Sequence, residues 1–252
     1  MSFPTYKEEC MSAKGITVMY NLDTEEKVIY QATAFAALMR KVYVWMTLAL
    51  VVSGLTAMYV AQSSTLMSAL ITSSSSIWIL CIAEIALVIY LTARINKMSF
   101  PAAGILFVLY SVLNGVTLSF IFLAYTLNSI ASTFFITAGT FAEMSLIGYN
   151  TKKDLSGMGR YLLYALIGLI IASVVNIFMA SSPLQWIISF AGVIIFVGLT
   201  AYDTQKIKHM FLMYGDSVND STQKLALMGS LSLYLDFINL FLYLLRFVGD
   251  RK

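Results

Sequence analysis

The chain has 252 residues, of which 59% are hydrophobic and only 12% are charged, and its mean hydropathy is +0.81. These values lie far outside the usage of soluble globular domains, so composition excludes a water-soluble fold and indicates an integral membrane protein. The formal net charge of +3 needs no nucleic-acid partner to explain it.

The chain opens with a polar segment. Residues 1–39 mix acidic and basic side chains without an apolar stretch of the secretory type, so we expect a polar N-terminal cytoplasmic tail and no signal peptide. Cys10 lies in this tail and Cys81 in a predicted span, a spacing that indicates neither a disulfide nor a metal site. Residues 40–252 are then predicted to form one transmembrane domain.

Seven apolar stretches follow, each close to the length of about 20 residues that a helix needs to cross a bilayer. The predicted spans are Tyr43–Val60, Ile77–Ala93, Pro101–Tyr125, Ala131–Tyr149, Tyr161–Met179, Gln185–Tyr202 and Leu225–Arg246. The connections between them are short. The sequence therefore predicts an all-helical integral membrane protein with seven transmembrane helices.

Lysine and arginine occur in alternate connections, which is typical of cytoplasmic loops. They precede the first span and lie between spans two and three, four and five, and six and seven, whereas the other three loops carry none. This pattern predicts a cytoplasmic N-terminus and, after seven crossings, an external C-terminus. Arg246, Arg251 and Lys252 make that terminus basic, so two alternatives remain: the last segment crosses, or it re-enters and returns to the cytoplasmic side.

Four of the thirteen acidic residues lie within or at the end of a predicted span. They are Glu84, Glu143, Asp203 and Asp236. An acid at the bilayer centre costs about 2.5–3.5 kcal/mol, so such residues usually face a bundle interior or an aqueous path and have a partner. The alternative is that each acid is neutral or hydrogen-bonded and only fixes helix packing, with Asn114, Asn176 or Asn239 as its partner.

For Glu84, the nearest cation along the chain is Arg94. It lies ten residues further on, roughly 15 Å along a helix, which is too far for an ion pair within the same helix. Glu84 therefore needs a partner on another helix.

Asp203 and Asp236 have the most distinctive contexts, "GLTAYDTQKIKHM" and "LYLDFINLF". The sixth span runs inward and the seventh starts inside, so both acids are reached from the same side, with Asp236 about 16 Å up its helix. If the sixth helix continues through Lys206 and Lys208, whose long side chains can snorkel, the two carboxyls could touch. Two acids in contact in a dry site cannot both ionise at low cost, so the pair is expected to titrate as a unit and to sense protons.

Four stretches carry a family pattern: "NGVTLSFIF" (Asn114–Phe122), "TKKDLSGMGRYLLYALIGLIIASVVNIF" (Thr151–Phe178), "YDTQKI" (Tyr202–Ile207) and "LSLYLDFINLFLYLLRF" (Leu231–Phe247). Together with the seven spans, they resemble the transmembrane Bax inhibitor motif family over nearly everything after residue 40. The resemblance implies a last helix that is central and wrapped by the other six. It also implies a pH-sensitive calcium leak in which paired aspartates of the last two spans sense protons.

In this sequence, the positions that match the aspartate pair are Asp203 and Asp236. The family also resembles this chain in having an acid within the second span and a basic residue at its end, here Glu84 and Arg94. Arg94 would latch onto Asp203 when the pore is shut. Glu143 lies outside the pattern and is a weaker candidate for the ion path.

Calcium would be the permeant ion, because a few carboxylates with water and backbone carbonyls attract it without holding it tightly. We therefore expect no tightly bound metal and no cofactor. The expected partners are the lipid bilayer, calcium and protons, and the expected location is a bacterial inner membrane.

Two other classes of function remain as alternatives. An aspartate in one span followed by an aspartate in the next is similar to intramembrane aspartyl proteases, but the second aspartate here follows "LYL" instead of "GxG", and no "PAL" tripeptide is present. The single histidine, His209, leaves no Ser/His/Asp set, so we predict no enzyme. The other alternative is a regulator that binds and inhibits another membrane protein, such as a protease or a cell-death factor.

Overall fold

The computed structural model describes residues 6–72, 74–214 and 218–252, with side chains for residues 33–72, 75–213 and 218–252. The described chain is helical. Its elements are α1 (Tyr6–Gln62), α2 (Ser64–Thr72), α3 (Ser74–Arg94), a 3-10 turn (Ile95–Lys97), α4 (Phe100–Leu118), α5 (Ile121–Ala124), α6 (Leu127–Asn150), α7 (Ser156–Met179), α8 (Ser182–Tyr214) and α9 (Asp220–Val248).

Seven helical stretches in the described part of the chain are long and apolar enough to cross a membrane. They coincide with the seven predicted spans, which confirms the predicted fold class. Among the first residues of the spans, the largest difference between prediction and structure is in the first span. This span begins at Thr33 in the structure and was predicted to begin at Tyr43. Helix α1 itself begins at Tyr6, while residues 1–5 of the predicted tail and the side chain of Cys10 lie outside the described residues.

The sixth spanning helix, α8, runs well past its predicted end at Tyr202. It continues through Lys206 and Lys208 to Tyr214, because long basic side chains can reach water from a helix end that is still partly in the bilayer. The condition under which Asp203 and Asp236 could meet is therefore fulfilled.

The seventh spanning helix, α9, is continuous over 29 residues and begins with a capping box at Asn219 and Thr222. At 1.5 Å per residue it is about 43 Å long, more than enough to cross the hydrocarbon layer. The last segment therefore crosses, and the re-entrant alternative is wrong.

The C-terminal tail folds back onto the connection between α5 and α6. The Asp250 N–H donates to Ser129 Oγ at 2.7 Å, and Lys252 Nζ donates to the Phe122 carbonyl at 2.6 Å. Arg251 forms an isolated antiparallel bridge with Tyr125. The basic C-terminal tail therefore has hydrogen-bond partners at that end of the bundle. These contacts are a reason for basic residues there, although the pattern of alternating basic loops predicts none.

Helix α9 is the centre of the bundle. In its most apolar window, 67% of the residues are buried, against 6% in α3 and in α7. It packs against α1, α4, α6 and α8, whereas α3 rests mainly on α4 and α7 mainly on α8. The other spans therefore surround the last helix as predicted, with α3 and α7 outermost.

Candidate functional site

The two predicted aspartates lie within electrostatic range of each other where α8 packs along α9. Asp236 is only 5% exposed and Asp203 is partly buried. Asp203 is close enough for its charge to act on Asp236. The structure therefore brings these two residues together in the interior of the bundle.

One oxygen of this pair is left without a hydrogen bond. Asp236 Oδ2 is buried and has no hydrogen-bond partner among the described residues. A buried carboxylate oxygen without a donor is costly in free energy. The site can consequently accept a proton or a cation without breaking an existing hydrogen bond.

The cation that interacts with both carboxyls is Lys206, one turn after Asp203 on α8. Its side chain is exposed, and its Nζ lies 5.9 Å from the centre of the Tyr202 ring. In the part of the chain that the structure describes, the single ion pair joins Lys224 to Asp220. Lys206 therefore acts on the acid pair from a distance and does not neutralise it.

The α8 segment around Asp203 is tied firmly to α6 and to the loop that follows it. Gln205 is 3% exposed; its Nε2 donates to the Lys153 carbonyl and its Oε1 accepts from the Leu155 N–H, both at 2.8 Å. Lys208 Nζ donates to the Tyr149 carbonyl at 2.7 Å. These bonds fix the position of α8 in the turn after Thr204.

Close packing of α6 on α8 adds to this anchor. At Gly148 the two backbones approach so closely that a Cβ would collide with the Ala201 carbonyl oxygen. In the adjoining loop, hydrogen bonding by the Ser156 side chain holds the pKa of the exposed Asp154 carboxyl below its usual range, and the Ser156 N–H, which donates to Asp154 Oδ1 at 2.9 Å, adds to this effect. These contacts therefore hold α8 in a fixed position against α6 beside Asp203.

A second polar cluster lies on another side of α9. Glu84 on α3 accepts from Thr117 Oγ1 at 2.5 Å and, in a longer contact, from Asn114 Nδ2 at 3.5 Å. Asn114 Oδ1 accepts from the Tyr234 hydroxyl at 2.9 Å, and that hydroxyl lies 2.6 Å from Ser53 Oγ. This polar network of Glu84, Thr117, Asn114, Tyr234 and Ser53 joins α3, α4, α9 and α1.

Tyr234 is the centre of the polar network, and its side chain is fully buried. The rings of Phe107 and Tyr110 meet it edge-on, with centroids 5.9 Å away in each case. Gly115 lets α4 approach α1, because a Cβ there would lie 2.6 Å from the Ser53 carbonyl oxygen. For Glu84, the geometry thus agrees with the predicted alternative in which an acid is hydrogen-bonded across helices to Asn114.

The other predicted site residues lie apart from both clusters. Arg94 is exposed and, within the described residues, forms no ion pair with Asp203, so the predicted latch is not formed in this conformation and stays a prediction. Glu143 is exposed on the outer face of α6. Asn176 accepts from the Ser181 N–H and Asn239 donates to the Leu235 carbonyl, so neither asparagine serves an acid.

An aromatic layer lies where α9 packs against α6. Phe237, the residue after Asp236, meets Phe134 and Phe141 of α6 at 5.5 Å between ring centroids, and Phe134 meets Phe241 at 6.4 Å. An apolar cavity of about 100 Å³ lies between this layer and Ser53. The space beside α9 is therefore apolar and incompletely filled.

Sequence reasoning did not identify Tyr234, Ser53 or Gln205. A signal for Tyr234 was present: it lies two residues before Asp236, and at 100° per residue the two side chains must leave the helix on nearly opposite faces. A tyrosine hydroxyl inside a bilayer also needs a hydrogen-bond partner. No comparable signal identifies Gln205, because its partners are loop backbone groups.

Fold and site together define a class: a multi-pass helical membrane protein whose central last helix carries a buried, unpartnered carboxylate. The family model described as "Inhibitor of apoptosis-promoting Bax1" matches residues 35–252. The chain therefore belongs to the Bax inhibitor family, as its motifs indicated.

Bacterial relatives match along almost the whole chain. Inner membrane protein YbhL of Escherichia coli (strain K12) is 48% identical over 227 residues, which cover 90% of this chain and 97% of that protein. A protein of Borreliella burgdorferi is 45% identical over 234 residues, covering 93% and 99%. Protein RP147 of Rickettsia prowazekii is 43% identical over 214 residues, covering 85% and 89%.

Proposed function

We propose that this protein is a pH-sensitive calcium leak channel of a bacterial inner membrane, in which protonation of Asp203 and Asp236 biases a two-state pore. The observation that carries the proposal is the buried, unpartnered Asp236 Oδ2 beside a second acid. The printed name of the Escherichia coli relative supports the location. The basic loops support a cytoplasmic N-terminus.

Proton sensing follows from the charges that face the pair. These are the two carboxyls and the exposed Lys206, which makes no ion pair with either of them in the described part of the chain. Without a fixed counter-charge, the two acids repel each other when both are ionised, and one proton removes that repulsion. The pair then titrates as a unit, and its protonation state biases the position of α9.

The aromatic layer of Phe134, Phe141, Phe237 and Phe241 supports a gate on the part of α9 that directly follows Asp236 in the chain. Apolar constrictions in channels close by excluding water. The cavity of about 100 Å³ beside Phe237 gives the ring a place to move when α9 shifts. A small displacement of α9 would then admit water and ions to the acid pair.

Calcium suits the side chains along this route. It prefers several hard oxygen ligands, and a pair of carboxylates with water can attract it without caging it. Glu84, with the oxygens of Thr117 and Asn114 beside it, is the next candidate along the ion path, and Glu143 is a weaker one. We propose no cofactor and no catalytic role for the acid pair.

Arg94 is proposed to act in a different conformation. It lies exposed at the end of α3, so its guanidinium is free to reach Asp203 if the helices rearrange. An arginine latched to that carboxyl would compensate its charge and hold the pore shut.

Calcium flux into dye-loaded proteoliposomes tests the proposal, measured from about pH 5 to 8 for the wild type and for Asp203→Asn and Asp236→Asn. We expect a pH-dependent flux that either substitution flattens, because each removes one of the two coupled titrations. Asp154→Asn is the matched control, since it changes an exposed loop aspartate and keeps the acceptor oxygen for Ser156. Arg94→Gln should raise the flux at the pH where the wild type is shut.

Absence of flux above empty liposomes, from protein shown to be folded, would reject the channel. The second candidate function would then stand: a regulator that binds another membrane protein. One observation favours it, namely that Glu143 projects from the outer face of α6, where Gly139 one turn earlier has open space around it. In that case, loss of both aspartates should spare the phenotype of a complemented deletion strain, and Glu143→Leu should abolish it.

A further inference from the structure

At the end of the bundle far from Gln205, a cavity of about 560 Å³ opens between the end of α7, the start of α8 and the last turn of α9. Four polar side chains line it: Ser173, Asn176, Gln185 and Arg246. The proposed leak uses none of them. A polar cavity at the edge of a membrane span must hold water or a polar ligand, because lipid chains cannot satisfy its hydrogen-bonding groups.

The available hydrogen-bonding groups are mostly donors. Asn176 Oδ1 already accepts from the Ser181 N–H at 3.1 Å, which leaves the amide nitrogen as the group that can donate into the cavity. The Ser173 hydroxyl donates to the Leu169 carbonyl at 2.7 Å. The Gln185 amide adds two further donor hydrogens and Arg246 adds five.

The charge of the cavity is positive. The Arg246 guanidinium lies 5.7 Å from the centre of the Tyr243 ring, and in the described residues it has no ion pair with an acid. None of the seven residues that line the cavity is acidic. The planar guanidinium fork matches the geometry of phosphate oxygens and can bind two of them at once.

The mouth of the cavity is surrounded by apolar side chains that face the lipid. Ile177, Phe178 and Met179 at the end of α7 are 66%, 85% and 63% exposed, and Trp186 and Ile187 on α8 are 57% and 56% exposed. A ligand that carries acyl chains would cover these surfaces, whereas a free anion would leave them unused. Tryptophan at this position is also typical of the level of lipid headgroups.

We propose that this cavity binds the phosphate of a phospholipid headgroup, with Arg246 as its charged ligand, Asn176 and Gln185 as amide donors, and the acyl chains along the exposed ends of α7 and α8. The site lies on the face of α9 next to α7 and α8. A lipid held there would contact the central helix directly.

Lipid binding to the full-length protein in detergent tests this site by native mass spectrometry. The probes are phosphatidylglycerol, diacylglycerol with the same acyl chains, and inorganic phosphate. The wild type should retain phosphatidylglycerol and not diacylglycerol, and millimolar inorganic phosphate should not displace the lipid. Retention of both lipids alike, or displacement by inorganic phosphate, would overturn the proposal in favour of an acyl-chain groove or a free-anion site.

Arg246→Gln should weaken the retention of phosphatidylglycerol roughly tenfold, the usual effect of losing a charged hydrogen bond. Asn176→Asp should weaken it as well, because it places a negative charge in the cavity while an oxygen still accepts from the Ser181 N–H. Arg160→Gln is the matched control, an exposed arginine near the other end of α7 that does not line the cavity. Equal loss in Arg246→Gln and Arg160→Gln would mean non-specific charge attraction and would reject the site.

Discussion

Two faces of α9 each carry a buried polar side chain, one hydrogen-bonded to its neighbours and the other with an oxygen that has no partner in the described residues. On one face of α9 the Tyr234 hydroxyl donates to Asn114, lies beside Ser53, and is packed by aromatic rings on α4. On the other face, two residues later, Asp236 has a buried oxygen with no partner in the described residues and a second acid beside it. Both side chains are buried in the bundle, so burial does not explain the difference.

The difference separates a structural role from a titrating one. A satisfied neutral network resists change, because breaking it leaves buried donors and acceptors unpaired. In a pair of neighbouring acids, the binding of a single proton removes the electrostatic repulsion between the two carboxylates. The comparison therefore assigns stability to the Tyr234 face and pH response to the Asp236 face.

The largest effect is expected from removing the aromatic layer between α9 and α6. Phe237→Ala deletes a ring that contacts Phe134 and Phe141, and buried Phe→Ala changes typically cost about 3–5 kcal/mol. We expect a lower melting temperature and a calcium leak at every pH, since the apolar barrier is lost. Phe190→Ala is the control, because that ring is 46% exposed and faces the lipid. If the Phe237→Ala variant showed no extra calcium leak and kept the pH dependence of the wild type, the aromatic layer would not be the barrier to ions.

A smaller effect is expected from the polar network around Tyr234. Tyr234→Phe removes the hydroxyl that joins Asn114 and Ser53, which should lower the stability by about 1–3 kcal/mol and leave the midpoint of the flux–pH curve unchanged. Thermal unfolding and flux are measured on the same preparation. Tyr110→Phe is a matched control, because it is the same chemical change at a neighbouring ring whose hydroxyl has no hydrogen bond within the described residues.

The two faces would not be separable if Tyr234→Phe shifted the flux–pH midpoint as strongly as Asp236→Asn. That result would make the polar network part of the sensor. It would also mean that the contacts of α9 with α1 and α4 take part in the pH response.

The smallest effect on stability is expected at the outer end of the network. Glu84→Gln keeps an oxygen that can accept from Thr117, so the melting temperature should change little, by less than about 1 kcal/mol in stability. Flux should nevertheless fall severalfold at an unchanged pH midpoint, because a negative charge on the ion path is lost. Thr117→Val offers the converse change, removing the hydrogen bond and keeping the charge. If only Thr117→Val reduced the flux, Glu84 would be a packing residue.

Most of the fold could be predicted from the sequence. The seven spans follow from hydropathy, because a bilayer requires long apolar helices, and the meeting of Asp203 with Asp236 follows from the continuation of α8 through Lys206 and Lys208. The start of the first span was missed by ten residues, since Thr33 to Val42 includes Arg40 and Lys41 within the helix.

The details of the site could not be predicted, because they depend on which helix faces which. Whether Asp236 has a donor depends on the rotation of α9 against α8, and the pairing of Tyr234 with Asn114 depends on the approach of α4 to α1 at Gly115. The hydropathy of the sequence predicts neither the rotation of α9 against α8 nor the approach of α4 to α1. The cavity at Arg246 was missed for the same reason, since residues from three helices form it and each is unremarkable alone.

The central claim is that the acid pair shares a proton whose loss drives the change in flux. Infrared spectroscopy of the reconstituted protein tests it directly, by following the carbonyl band of a protonated carboxylic acid from about pH 5 to 8. We predict a band that disappears over the same pH range in which flux changes, and that is absent from Asp203→Asn and Asp236→Asn but present in Asp154→Asn. A band that persists unchanged in Asp236→Asn, or a flux that changes with pH while the band does not, would contradict the account.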